Sequence, residues 1–449
     1  MSLWAGMAVV VTGLVVMLLA LRAVRARWEL HPELLRKMAH VGLGLATLSF
    51  PWLFREAWPV VVLGVLSLVT LLALRHVPAL RSTVGGAVHG VDRSSGGDLY
   101  FPIAATGLFL LADGDPVLFS VPILTLAFAD AVAAVVGVFY GRLRYDGAEG
   151  KKSLEGSAAF FLVAFLSTHV PVLLATDVGR LESLLIGLTF GVLVMLLEAV
   201  AWRGLDNLFI PFGGFLLLRG SLALDAPALA ARLVVTVLML ALVLVLRKRR
   251  TLTDSAILGG VLVGYVAWSV GGWHWLVPPF VLFMAYTFFW PRSAQLRERP
   301  HDMVALVSVT SCGMLWLLLA TVLRRPDLFF PYTLTFAANL CFIGITWWRD
   351  YRRRSGATSA VMASALVAWA AFLPPYLLVA GRPAQPLADA LAALAALVAA
   401  GAAFTLAIPD LHNRPSRDFP WARQALVGLG ASALGLALVR VAAPLVHGG

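Results

Sequence analysis

The chain has 449 residues, of which 60% are hydrophobic and only 13% are charged, and its mean hydropathy is +0.87. Apolar runs of about twenty residues recur from one end to the other, which excludes a soluble globular protein and predicts a polytopic helical membrane protein. The formal net charge is +11, but the cationic residues lie in short loops between apolar runs. This distribution is typical of topology signals and argues against a nucleic-acid-binding protein.

The apolar runs predict an all-α fold with roughly sixteen transmembrane segments. The first run, Leu3 to Leu21, lacks a basic region before it and a cleavage site, which predicts a retained helix rather than a signal peptide. When the segments are counted in order, the basic loops fall on one side, which we expect to be the cytoplasm, with both termini outside. We expect the membrane to be the plasma membrane of a bacterium. The basic loops are Arg22 to Lys37, Arg75 to Arg93, Arg142 to Lys152, Arg203, Lys248 to Arg250, Arg292 to Arg299, Arg349 to Arg354, and Arg414 to Arg423.

The character of the sequence changes at Lys248 to Arg250, which predicts two helical modules, residues 1–250 and 251–449. The second module has fewer acidic residues in its apolar segments, and from about Ala357 onwards it shows no polar constellation. We therefore expect the first module to carry the chemistry. The second is expected to be a scaffold, a dimer interface or a lipid-handling partner.

Asp130 is a carboxylate inside an apolar run, and such groups in membrane segments are usually functional. Gly137 and Gly141 follow at helical spacing on the same face, so that another backbone or a ligand can come close there. The stretch then becomes polar, and Lys151, Lys152 and Ser153 precede the next apolar run. Lysines and backbone N–H groups at a helix start can hold phosphate. The alternative is a close helix crossing followed by an ordinary basic loop.

Two polar positions lie at the ends of earlier apolar segments. Arg36 and His40 are four residues apart on one helical face, where they could grip a phosphate or transfer a proton. The alternative is a topology signal with a histidine at the membrane interface. Asp98 precedes Pro102, at which a helix can start, so Asp98 could cap that helix or line a pocket.

A second acidic cluster consists of Glu198, Asp206 and Asn207. Its alternative explanation is an ion pair between Glu198 and Arg203, with Asp206 as a helix cap. Two acidic clusters that face a lysine-rich loop predict a magnesium–nucleotide site, because carboxylates bind the metal and lysines neutralise the phosphates. The predicted magnesium ligands are Asp130, Glu198 and Asp206.

These motifs occur in order over roughly residues 30 to 220, and this part of the chain resembles the CTP-dependent prenol kinase family. That family includes dolichol kinases, phytol kinases and a diacylglycerol kinase, and it is related more distantly to phosphatidate cytidylyltransferases. The resemblance implies that the stretch from the glycines to the lysines binds CTP. The implied CTP-binding residues are Arg36, Gly137, Gly141, Lys151, Lys152, Ser153, Glu155, Gly156, Ser157 and Asn207. The chain has Ala129 where the family often has glycine, and Asp98 where it often has glutamate.

The second module more distantly resembles the membrane family of transmembrane protein 19 and the plant phytyl-phosphate kinase. The matching residues are Leu252-Thr253-x-Ser255-Ala256, Gly259, Gly264 and Gly271-Gly272-Trp273. Where that family has an acidic helix motif, this chain reads from Ala337 to Phe342 without a carboxylate. This difference favours a non-catalytic second module.

Together, the motifs and the resemblance imply an integral-membrane kinase that transfers a phosphoryl group from CTP to a long-chain lipid alcohol, with Mg²⁺ as cofactor. The expected partners are the nucleotide, the alcohol and the bilayer, without nucleic acid, and homo-oligomerisation is left open. The alternatives are cytidylyl transfer to a phospholipid and a lipid or isoprenoid transporter. A transporter needs its polar groups near the membrane midplane, whereas these gather at one face. The expected catalytic residues are His40, Asp98, Asp130, Lys152 and Glu198.

Overall fold

The computed structural model describes residues 2–76, 96–148, 150–246, 252–288, 301–351, 356–380, 386–408 and 420–447, with the backbone alone for 350–351 and 442–447. The chain divides into two compact units, Met1–Val237 and Leu238–Gly449. The border lies within one helix. The predicted border, between residues 250 and 251, lies outside the described residues.

The first unit is almost entirely helical, because a chain in lipid must satisfy its backbone hydrogen bonds within each segment. A π-helical turn, Thr125–Ala129, joins two of its helices without a break. Its described helices are α1 (Leu3–Arg27), α2 (Pro32–Leu48), the one-turn α3 (Phe50–Leu53), α4 (Trp58–His76), α5 (Gly97–Ala112), α6 (Pro116–Leu124), α7 (Asp130–Tyr140), α8 (Leu154–Ala175), α9 (Arg180–Val200), α10 (Asp206–Ser221) and the first part of α11 (Ala226–Leu246).

The predicted polar loop between α7 and α8 is a short antiparallel hairpin of β1 (Arg144–Gly147) and β2 (Gly150–Ser153). Tyr145 pairs with Lys152 across the two strands. The hydroxyl of Ser153 then accepts a hydrogen bond from the backbone N–H of Gly156 at 3.1 Å and caps α8. The predicted helix start after the lysines is confirmed.

The second unit contains the end of α11 and seven further described helices. A single 3₁₀ turn, Pro326–Leu328, precedes the most deeply buried of them. The helices are α12 (Asp254–Gly271), α13 (Trp273–Phe288), α14 (Met303–Leu323), α15 (Phe329–Tyr351), α16 (Ala357–Val379), α17 (Pro386–Ala407) and α18 (Trp421–His447).

In the described part of the chain, twelve helical segments are long and apolar enough to cross a membrane. This confirms an all-α polytopic membrane protein. Helices α2, α5, α10 and α13 have only 16 or 17 residues, so roughly sixteen segments stays a prediction. The basic loops Arg75 to Arg93, Lys248 to Arg250, Arg292 to Arg299, Arg349 to Arg354 and Arg414 to Arg423 lie wholly or largely outside the described residues.

Polar side chains join the helices of the second unit in its core. The amide of Asn339 on α15 donates to the backbone carbonyl oxygen of Val309, and its carbonyl oxygen accepts from Gln424 at 2.9 Å. Tyr376 donates to the Asp389 carboxylate at 2.8 Å, and both residues are buried. The expectation of no polar constellation beyond Ala357 was therefore wrong, because the tyrosine and the acid meet only when α16 packs on α17.

Candidate functional site

Helix α2 brings a lysine and a histidine to Asp130, the first residue of α7. The ammonium Nζ of Lys37 lies 2.5 Å from Oδ2 of Asp130, and the two side chains are only 5% and 14% exposed. The Nε2 atom of His40 lies 3.7 Å from the same oxygen and 3.2 Å from the backbone carbonyl oxygen of Leu126. The structure thus places two of the predicted site residues, Asp130 and His40, side by side.

Lys37 was not among the predicted site residues, although it lies in the motif Arg36-Lys37-x-x-His40 that resembles the kinase family. Arg36 and His40 are i, i+4 on one helical face, but Lys37 and His40 are i, i+3 and also share a face. The side chain of Arg36 is 52% exposed on the surface of α2, and its Nη2 atom lies 2.5 Å from Oε1 of Glu33. Phosphate binding by Arg36 stays a prediction.

The π-helical turn before Asp130 is closely packed against α2. A Cβ atom added to Gly44 of α2 would lie only 2.3 Å from the Cβ of Ala127 in this turn. Gly44 is therefore required for α2 to approach closely enough to bring Lys37 and His40 to Asp130. Single π-helical turns within α-helices occur frequently at functional sites.

The second ion pair joins the hairpin to α9. Nζ of Lys152 lies 2.6 Å from Oε1 of Glu198 and 2.5 Å from the backbone carbonyl oxygen of the same residue. Burial alone would lower the pKa of Lys152, but the Glu198 carboxylate raises it above its usual value. The described partner of the Glu198 carboxylate is therefore Lys152, which the sequence analysis did not pair with it.

Asp206 is the third carboxylate at this end of the first unit. It is the first residue of α10, directly after the N-cap Leu205, and its Oδ1 accepts a hydrogen bond from the backbone N–H of Asn207 at 3.0 Å, a helix-start contact of the kind that the alternative supposed. Its carboxylate lies within electrostatic range of Asp130, Lys37 and Lys152, and it forms no ion pair with a described residue. We call Lys37, Asp130, Lys152, Glu198 and Asp206 the charged cluster.

The predicted glycine-lined face is filled by α8 and its cap. A Cβ atom on Gly141 would lie 2.7 Å from the Cβ of Ser153, and one on Gly156 would lie 3.3 Å from the Cα of Gly137. The glycines therefore let α7 and α8 pack closely, as the alternative explanation supposed. Nucleotide binding along this face stays a prediction.

Three other predicted nucleotide ligands lie in the hairpin or in the first turn of α8: Lys151, Glu155 and Ser157. The Glu155 carboxylate accepts hydrogen bonds from the backbone N–H groups of Arg142 and Leu143 at 3.1 Å, and so fixes the turn after α7. The Ser157 hydroxyl lies 2.8 Å from the hydroxyl of Tyr145. Lys151 is exposed and forms no ion pair with a described residue.

Asn207 joins the start of α10 to the start of α5. Its amide donates to the carbonyl oxygen of Gly97 at 2.8 Å, across 110 residues of sequence. Gly204 has a φ of +76° and contacts Gly97 so closely that a Cβ would lie 2.5 Å from the Gly97 Cα. The structure therefore gives Asn207 a contact that fixes two helix starts.

Asp98 lies in the first turn of α5, beside this contact. Helix α5 begins at Gly97, not at Pro102, so the expectation that Asp98 caps a helix there was wrong; the helix continues through the proline. The Oδ1 atom of Asp98 is buried and has no hydrogen-bond partner among the described residues. Such an oxygen can accept a proton, or a hydrogen bond from the hydroxyl group of a ligand.

The predicted magnesium site stays a prediction. The described residues contain no group of three or more His, Cys, Asp or Glu side chains placed to hold a metal ion. Asp130 is paired with Lys37 and Glu198 with Lys152, so Asp206 is the predicted ligand that forms no ion pair with a described residue. One or two carboxylates are the usual protein contribution to a magnesium site, and substrate phosphates and water supply the other ligands.

The close packing at Gly44 gives a testable prediction. The substitution Gly44→Ala should destabilise the protein by about 1–3 kcal/mol, because the new methyl group overlaps Ala127. Thermal unfolding of the purified protein in detergent measures this change. Gly13→Ala in α1 is the matched control, since a Cβ there has no neighbour within 4 Å. If both variants unfold at the temperature of the unsubstituted protein, the close contact does not exist.

The chain is similar to the phytol kinase of Synechocystis sp., with 32% identity over 196 residues. The match covers 42% of this chain and 81% of that relative. No protein-family model matches the chain, and no solved structure matches it significantly. Because the identity extends over most of the relative's length, the chain belongs to the phytol kinase family.

Proposed function

We propose that this membrane protein is a kinase that transfers a phosphoryl group from CTP to a long-chain isoprenoid alcohol of the phytol or polyprenol type. The similarity to a phytol kinase supports the reaction and the class of alcohol. The observation that carries the proposal is the charged cluster, in which two lysines and three carboxylates lie together, with Asp130 inside the candidate span Pro116–Tyr140. Ionisable groups in such segments are costly and usually functional.

The reaction needs three things from the protein: a place for the phosphates, compensation of their charge, and an acceptor for the hydroxyl proton. The alcohol oxygen attacks the γ-phosphorus, the bond from that phosphorus to the β–γ bridging oxygen breaks, and CDP leaves. Lys152 and Lys37 are placed to neutralise the phosphate charges. Mg²⁺, when bound, would be held by Asp130 and Asp206 and would offset the charge on the phosphates.

His40 and Asp98 are the candidate acceptors of the hydroxyl proton. A carbonyl oxygen only accepts hydrogen bonds, so Nε2 of His40 carries the hydrogen that points at Leu126. The Nδ1 atom of this tautomer then has a free lone pair and can take a proton. The Asp98 carboxylate has an oxygen without a described partner. Positioning and charge stabilisation supply most of the remaining catalysis.

The basic loops favour a site on the cytoplasmic face of a plasma membrane. The lipid hydroxyl must reach this face, where Lys152 of the basic hairpin meets Glu198 near the end of α9. Asp130 lies ten residues before the end of the span Pro116–Tyr140, roughly 15 Å at the helical rise, so the nucleotide or water must reach down to it.

We further propose that the second unit is non-catalytic. The region from Ala337 to Phe342 has no carboxylate, and its polar side chain is that of Asn339. The Asn339 amide donates to two backbone carbonyl oxygens, and its carbonyl oxygen accepts from Gln424, so its hydrogen bonds are used within the core.

The test is an assay of the purified full-length protein with radiolabelled CTP and a panel of lipid alcohols: phytol, geranylgeraniol, a polyprenol and diacylglycerol. We expect a lipid monophosphate and CDP with an isoprenoid alcohol, and no product without magnesium. Release of pyrophosphate would instead indicate cytidylyl transfer. Formation of a lipid diphosphate from the monophosphate would contradict the non-catalytic second unit.

We predict that Asp130→Asn lowers the turnover about a thousandfold or more, because a magnesium ligand is lost. The measurement is turnover at saturating CTP and alcohol, with size-exclusion chromatography as the check on folding. Asp225→Asn is the matched control, since that acid lies beyond the opposite end of α10 from Asp206 and caps α11. Near-normal turnover of Asp130→Asn with magnesium would contradict the assignment.

Lys152→Met is predicted to raise the KM for CTP by at least about tenfold, because hydrogen bonds to charged groups contribute about 1.5–3 kcal/mol each. The change also leaves Glu198 unpaired, which alone destabilises a protein by about 3–5 kcal/mol. The double variant Lys152→Met/Glu198→Gln separates the two effects. It should regain thermal stability while its KM for CTP stays high. Recovery of a normal KM would show that Lys152 is only a structural partner of Glu198.

A further inference from the structure

The hairpin is flanked by large apolar side chains that are more than half exposed, although the ring of Phe139 also contacts that of His31. Phe139 and Tyr140 at the end of α7 are 58% and 70% exposed, and Leu143 and Leu154 on either side of the hairpin are 62% and 54% exposed. Four such side chains around one short hairpin form an apolar surface. A surface of this kind in a membrane protein marks contact with lipid or with a partner.

Three exposed cations lie among these apolar side chains. Arg142, Arg144 and Lys151 form no ion pair with a described residue. Consecutive residues of a strand point to opposite faces, so Lys151 is exposed while Lys152 reaches inward to Glu198. Arg144 and Lys151 therefore lie on the face of the hairpin opposite Lys152, together with Asp146, which is the cross-strand neighbour of Lys151. Arg142 lies two residues before β1. A nucleotide bound at Lys152 would approach the other face of the hairpin.

The position of the hairpin along the membrane follows from its two neighbouring helices. Tyr140 is the last residue of the candidate span Pro116–Tyr140, and Leu154 is the first residue of the candidate span Leu154–Ala175. The hairpin thus lies where two spanning helices leave the hydrocarbon region, at the level of the lipid headgroups. Aromatic residues and cations are both enriched at this level of a bilayer.

We propose that this hairpin surface, the four apolar side chains with Arg142, Arg144 and Lys151, binds the headgroups of anionic phospholipids. The apolar side chains enter the boundary between headgroups and acyl chains, and the cations contact the lipid phosphates. The occupant is lipid rather than a soluble anion, because Leu143 and Leu154 can contact the acyl chains of a lipid but form no favourable contact with a soluble anion. Bound in this way, β2 holds Lys152 at the depth at which a lipid hydroxyl meets water.

The test uses fluorescence quenching by brominated lipids and does not depend on any enzymatic activity. A bimane label is attached to Leu143→Cys in full-length protein, since both native cysteines are buried, and the unsubstituted protein is the labelling blank. The protein is placed in phosphatidylcholine nanodiscs that contain the same fraction of either brominated phosphatidylglycerol or brominated phosphatidylcholine. We expect the brominated phosphatidylglycerol to quench the label several times more strongly.

Paired charge variants identify which cations bind the lipid. Arg142→Gln/Arg144→Gln should bring the quenching ratio of the two lipids close to one, because each cation near a membrane surface changes lipid affinity about fivefold. Arg22→Gln/Arg27→Gln is the matched control, since it removes two exposed charges from the end of α1 and should keep the ratio. Equal quenching by both lipids in the starting protein, absence of quenching by either, or an equal loss in the control variant would overturn the proposal.

Discussion

The ion pair between Lys37 and Asp130 is the contact on which the geometry of the first unit depends. A carboxylate within an apolar helix is tolerated only when a cation neutralises it, and removal of one partner of a buried pair costs about 3–5 kcal/mol. The lysine comes from α2, 93 residues earlier, so α2 must approach the π-helical turn before Asp130. Gly44 permits this approach, and His40 reaches the same carboxylate because it lies one helical turn after Lys37.

The ion pair between Lys152 and Glu198 positions the hairpin against α9, as the pair between Lys37 and Asp130 positions α2. A two-stranded hairpin alone is marginally stable, and this pair adds to the contacts of Glu155 and Ser157 that hold the hairpin to its neighbouring helices. The two pairs involve two lysines and two carboxylates, so Asp206 is the carboxylate of the charged cluster that forms no ion pair with a described residue. Its Oδ1 accepts a hydrogen bond from the backbone N–H of Asn207, and Arg36 lies within electrostatic range of it. The proposed magnesium would bind beside this carboxylate.

The sequence predicted the helices and most of the charged residues, because apolar length and an acid in an apolar run are local signals. Asp130, Lys152 and Glu198 each stand out in their own segment. The pairing could not be read from the sequence, since Lys152 meets Glu198 across 46 residues and only after α9 packs beside the hairpin. Gly137 and Gly141 illustrate the same limit: a small residue permits close approach, but only the fold shows that Ser153 is what approaches.

The ion pairs also explain how a cluster of charges can stay in place before a nucleotide binds. The ammonium group of a lysine can donate hydrogen bonds to a carboxylate or to a phosphate, because both are anions with acceptor oxygens. An ammonium group has three N–H donors, and Lys152 uses two of them on Glu198. Under the proposed function, the third binds a phosphate oxygen while the ion pair stays intact, which avoids the cost of an isolated buried charge. The same lysine that stabilises the fold can therefore bind a phosphate during the reaction.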